Sequence, residues 1–146
     1  MNKKVWIGFV AVFMTIAVLD WFVNDVVLAS TYQDESMKQL WRSPAEMKIW
    51  MFYLVYLVVA FFFALIFSRG YEGNGIMEGV RYGFYVGMLM AVPMAFASYA
   101  SMPISFSLAI QWFISGIVEY VIAGIVLALV WGKQSAVARV AQPQPA

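Results

Sequence analysis

Four apolar stretches, separated by short polar connections, organise the chain. The first opens behind Lys3-Lys4 and runs past Asp20 to Ala29. The second is uncharged from Ile49 to Phe67, the third begins after Asn74, and the fourth ends at Gly132-Lys133. Each is long enough for the ~20 residues that a helix needs to cross a bilayer core. The pattern predicts transmembrane helices over about 5–29, 45–68, 75–100 and 104–131, in one domain spanning 1–133. The fold class it predicts is all-α: an integral membrane bundle of four helices.

The connections carry their own signals. Val5 to Leu19 behind two lysines has the form of a signal peptide, yet the apolar stretch continues through Trp21 to Ala29, so it reads as a retained first helix. Between the first two helices, Met37, Leu40 and Trp41 recur at helical spacing opposite Asp34, Glu35, Lys38 and Arg42. That pattern predicts a short amphipathic segment over 30–43 lying in the interface, or a docking surface for a partner. Ser43-Pro44-Ala45-Glu46 has the form of a capping box and starts the second helix on this reading. Asn74 is placed to cap the third. Pro93 predicts a kink in it, and Ser101-Met102-Pro103 a tight turn into the fourth. The Gln- and Pro-containing tail, 134–146, reads as flexible and cytoplasmic.

The third helix carries a small residue at every fourth position: Gly75, Gly79, Gly83, Gly87, Ala91 and Ala95. Residues four apart stack along one side of a helix. In lipid, close backbone approach through small residues replaces the hydrophobic drive that packs soluble helices. The ribbon can serve the chain's own bundle or a second chain.

Composition sharpens the class. The 146 residues are 64% hydrophobic and 12% charged, with a mean hydropathy of +0.80. A soluble domain of this size lacks the interior to hide so much apolar surface. A net charge of +1 argues against nucleic acid as a partner. With no cysteine and no histidine there is no disulfide, thiolate nucleophile or imidazole ligand for haem or zinc. Lys3, Lys4, Arg69, Arg81, Lys133 and Arg139 fall on one side of the membrane, and Lys38, Arg42 and Lys48 on the other. The excess places both termini in the cytoplasm.

The candidate chemistry is a set of intramembrane polar residues: Asp20 and Asn24 on the first helix, and Gln111, Ser115 and Glu119 on the fourth, with Ser107 extending the same four-residue ladder. A mid-membrane carboxyl is costly unless it is paired, protonated or facing water. Counted from one side, Asp20 and Glu119 lie at comparable depth, so adjoining helices would let them share a proton. The alternative is that Glu119 is a packing device that hydrogen-bonds a neighbouring helix. Glu78 and Arg81, three apart near the cytoplasmic boundary, form a charged pair in which Arg81 snorkels to the headgroups or meets an anionic lipid. Met88, Met90, Met94 and Met102 are soft ligands for Cu(I), but methionine also fills irregular apolar packing. The aromatic content could line a quinone, carotenoid or lipid pocket. No nucleophile–base pair, phosphate loop or metal-spaced carboxylate cluster is present, which argues against an enzyme and names no cofactor and no metal.

Gly79-Val-Arg-Tyr-Gly-Phe-Tyr-Val-Gly, Pro93, Pro103, and Gln111-Trp112 through Gly116 to Gly124 resemble a group of uncharacterised small bacterial four-helix inner-membrane proteins, a domain of unknown function. The resemblance covers the second half of the chain. It implies the fold and a bacterial inner membrane, and assigns no activity. The expectation is an accessory or assembly subunit packing against partner membrane helices through the small-residue ribbon, as a homo-oligomer or in a larger complex. The alternative is a small oligomeric transporter or channel using Glu119 and Asp20.

Overall fold

In the computed structural model, which describes residues 3–132, every element is helical and no strand occurs among them. Four helices are long and apolar enough to cross a membrane: α1 (Lys3–Val27), α2 (Ile49–Gly70), α3 (Ile76–Ser101) and α4 (Phe106–Trp131). The protein is therefore a membrane-type helical bundle. Lys133, Arg139 and the tail 134–146 lie outside the described residues.

The helices alternate in direction. One end of the bundle gathers the start of α1, the end of α2 and the end of α4. There the Lys4 ammonium donates to the Trp131 carbonyl at 2.8 Å, and the Tyr71 hydroxyl donates to the Gly132 carbonyl. A cation and a hydroxyl thus occupy carbonyls that the last turn of a helix leaves open, where the helix dipole also favours positive charge. Gly132 ends α4 with φ 71°, a left-handed conformation that suits glycine.

The ribbon of α3 packs on α4 within the chain. A side chain at Gly79 would strike the Gly124 carbonyl, and one at Gly83 would strike the Tyr120 carbonyl and come within 2.7 Å of the Val121 Cα. Gly87 is looser, at 3.2 Å from the Ile117 Cα. Ala91 continues the contact against Gly116, where an added Cβ would lie 3.0 Å from the Ala91 Cβ. Ala95 is fully buried with Leu108, Ala109 and Trp112 in an apolar cluster at the other end of the bundle. Gly75 is not part of the ribbon. It precedes α3 with φ 77° and ψ −147°, so its glycine serves the turn.

α1 packs against both α2 and α4. Val5, Val12 and Ile16 of α1 join Ala60, Phe63, Ala64 and Phe67 of α2 and Leu127, Ala128 and Trp131 of α4 in the main core. Gly8 allows the approach to α4: a Cβ there would lie 2.5 Å from the Leu127 Cδ1 and 2.6 Å from the Trp131 ring. All the buried residues of α2 lie in its second half, whereas from Ile49 to Val58 only Tyr56 is even partly covered.

Several expected boundaries shift. The sequence 43–46 forms a turn closed by Glu46 N–H on the Ser43 carbonyl at 2.9 Å, and α2 starts only at Ile49. The helix begins where the uncharged run does and leaves Glu46 and Lys48 outside. The polar segment after α1 is two short helical turns, Ala29–Tyr32 and Glu35–Lys38, instead of one continuous helix. Met37 from it is buried against Leu28, Ile104 and Leu108. Asn74 does not cap α3. Its side chain donates to Glu72 at 2.9 Å, and Glu78 reaches back to the loop amides instead. Ser105 caps α4, accepting from the Leu108 amide at 3.1 Å.

Two π-helical stretches interrupt the long helices. Pro93–Ala97 widens α3 immediately after the proline, where the ring would otherwise press on the carbonyl of Leu89. Phe22–Val27 widens the end of α1, and that stretch shapes the polar site.

Candidate functional site

Asp20 follows Val12 and Ile16 at four-residue spacing on α1, so the row that builds the core ends in a carboxyl. The Tyr56 hydroxyl of α2 donates to its Oδ2. The Asn24 side-chain amide donates to the Asp20 carbonyl at 2.9 Å, taking the acceptor that an unbroken α-helix would give to the Asn24 backbone N–H. The ladder is displaced here: Leu28 N–H bonds the Val23 carbonyl, five residues back, at 2.8 Å. The π-helical turn and the polar side chain are thus two aspects of one local rearrangement.

From Asn24 the network runs toward the α1–α2 connection. The Tyr32 hydroxyl donates to Asn24 Oδ1 at 2.8 Å and accepts from the Trp112 indole N–H at 2.7 Å. Trp41 packs edge-on against both rings, at 5.4 Å from Tyr32 and 6.2 Å from Trp112. Burial pushes the Tyr32 hydroxyl above its ordinary pKa, which keeps it the proton donor that Asn24 requires.

Glu119 is the fourteenth of the 26 residues of α4 and so sits at mid-helix. It lies within electrostatic range of both Asp20 and Tyr56. Three helices therefore contribute to one polar centre: Asp20 from α1, Tyr56 from α2 and Glu119 from α4. No hydrogen bond or ion pair joins the Glu119 carboxyl to another described residue, and its oxygens are not sealed inside the bundle. Gln111 and Ser115 do not join this centre. Gln111 is exposed, and the Ser115 hydroxyl donates to the carbonyls of Gln111 and Trp112 on its own helix.

No family model, characterised protein or solved structure matches this chain.

The charged pair of α3 also rearranges. Glu78 is buried, and its two carboxylate oxygens accept from the backbone amides of Glu72 at 2.5 Å and Asn74 at 2.8 Å. It fixes the α2–α3 turn and does not accompany Arg81. Arg81 pairs with Glu72 at 3.7 Å. Met88, Met90 and Met94 are all exposed on α3.

Sequence reasoning singled out Asp20, Asn24 and Glu119 but missed Tyr56, Tyr32 and Trp112. Tyr56 lies among eight aromatics of α2, where nothing in the pattern marks one hydroxyl as different. Its phase was the available signal. Tyr56 precedes the buried Ala60 and Ala64 at four-residue spacing, on the face that meets α1.

Proposed function

We propose that the protein is an accessory or assembly subunit of a bacterial inner-membrane complex, with both termini cytoplasmic and the 30–43 segment facing outward. The observation that carries this reading is the Glu119 carboxyl, at mid-span with no donor among the described residues yet reachable at the bundle surface. In hydrocarbon such a group needs a partner, and an interhelical hydrogen bond from a neighbouring subunit supplies one. Because α4 covers the glycine ribbon, a partner helix docks beside Glu119 and not on the ribbon. The first half of α2, exposed from Ile49 to Val58 except at Tyr56, gives that partner a second apolar surface.

Native mass spectrometry of gently extracted membranes tests this. The parent is expected in a particle heavier than the 16.5 kDa chain. Glu119→Gln keeps a donor and an acceptor and stays assembled, whereas Glu119→Leu falls to the bare chain. A parent that is itself the bare chain overturns the reading.

A second reading is favoured by one arrangement. Asp20, Tyr56 and Glu119 are continued by Asn24, Tyr32 and Trp112 toward one end of the bundle, which is the layout of a proton path in a small transporter. The same variant separates the two. Glutamine cannot release a proton, so on this reading Glu119→Gln abolishes a pH-driven flux in proteoliposomes. On the assembly reading it is silent.

A further inference from the structure

A cavity of about 190 Å³ opens between the end of α2 and the start of α3, apart from the polar centre. Ile66, Phe67 and Tyr85 supply its apolar wall, and Glu72 and Arg81 its charged rim. Arg81 is the sixth residue of α3, ~8 Å along the helix at 1.5 Å per residue. That is about the thickness of the headgroup layer on one side of a bilayer.

We propose that this cavity binds the headgroup of a phosphatidylethanolamine lipid in the leaflet that holds the α2–α3 turn. The rim presents one cation and one anion side by side. Arg81 and Glu72 are 3.7 Å apart, a loose pair with side chains 55% and 67% exposed, so each can bond a ligand. Arg81 offers a planar fork suited to a phosphate. Glu72 offers carboxylate oxygens to an ammonium, and the Asn74 amide at 2.9 Å from its Oε2 holds that carboxylate in place. Glu78 adds a second negative charge to the lining, with both oxygens already engaged by the turn.

The lining thus holds two carboxylates against one guanidinium. That balance disfavours a purely anionic headgroup such as phosphatidylglycerol, which brings a phosphate and no cation. A choline headgroup carries the cation but no N–H to donate to Glu72. Ethanolamine satisfies both halves of the rim. Exposed Ile66 and Tyr85 give the glycerol and upper acyl chain an apolar surface continuous with the helix face.

The test is native mass spectrometry of the full chain in detergent, titrated with phosphatidylethanolamine, phosphatidylglycerol and phosphatidylcholine of identical acyl chains. The expected result is preferential retention of phosphatidylethanolamine. Arg81→Gln and Glu72→Gln each weaken it about tenfold, the effect of one charge-assisted contact. Both side chains are more than half exposed, so neither variant removes core packing, and circular dichroism checks that both remain folded. Equal retention of the three lipids overturns the proposal. So does a preference for phosphatidylglycerol that survives in Glu72→Gln, which would make the site a simple anion contact. Because the variants leave Glu119 untouched, failure here is distinguishable from failure of the assembly reading.

Discussion

The Tyr56 hydroxyl ties the middle of α2 to α1 through Asp20, in the region where α2 has little other cover. Removing that donor leaves the Asp20 oxygen without it in a low-dielectric setting. Tyr56→Phe is expected to destabilise the detergent-solubilised protein by about 1 kcal/mol. Tyr53→Phe removes a hydroxyl from an exposed residue one turn earlier and is expected to be neutral. Thermal unfolding of the two variants side by side measures the difference, and equal midpoints would deny Tyr56 its role. At this scale the sequence revealed the costly residues and hid their partners. A carboxyl within an apolar run announces itself, because hydrocarbon tolerates so few of them. A tyrosine in an aromatic helix does not, since its ring alone explains its presence. Glu78 shows the converse: it was visible as a charge, but its spacing to Arg81 said nothing of the backbone amides that hold it.

Between elements, the α3–α4 contact is graded along its length. At Gly83 the nearest obstacles to a Cβ are the backbone of Tyr120 and Val121, which cannot move aside. At Gly87 they lie at 3.2–3.3 Å and include the Tyr120 Cβ. Gly83→Ala is therefore expected to cost about 1–3 kcal/mol by forcing the helices apart. Gly87→Ala is expected to be near neutral, its small crowding offset by the better helix propensity of alanine. Unfolding midpoints test the order, and a reversed order would show that another surface sets the helix spacing. The four-residue period made this ribbon legible, because a repeat along one helix is a local property. Its partner on α4 was not, since Gly116 and Gly124 are eight apart and acquire meaning only in register with α3. Gly8 was equally silent: one glycine in an apolar run has no period, and its purpose is the Trp131 ring 123 positions later. The helix starts slipped for a related reason. Capping signals at Ser43 and Asn74 are local: the Ser43 carbonyl closes a tight turn instead, and the Asn74 side chain turns back to Glu72.

For the whole molecule, the alternating direction of the helices puts the α2–α3 turn and the polar segment after α1 at opposite ends. The chain has no cysteine of its own, so an introduced one is a unique label. Cysteines at Gln39 and at Gly70, where a Cβ meets nothing, should react with an impermeant maleimide from opposite sides, Gln39 from outside and Gly70 from the cytoplasm. Labelling of both from one side would rule out four spans. The number and length of the spans were legible because hydrophobic length answers directly to bilayer thickness. Which helices touch was not, because an all-round apolar helix carries no mark of its neighbours.

The clasp of Lys4 on the Trp131 carbonyl joins residues 127 positions apart, and it has a consequence in time. The chain emerges from the ribosome in order, so α1 is in the membrane long before its acceptor on α4 has been synthesised. Until then α1 has only α2 for company, with Gly8 open where the Trp131 ring will sit. α3 and α4, joined by a short turn and matched backbone to backbone, are the last two spans to be made. The Lys4 clasp and the seat of the Trp131 ring on Gly8 therefore cannot close before the whole of α4 has been made, and until then that face of α1 is without its final cover.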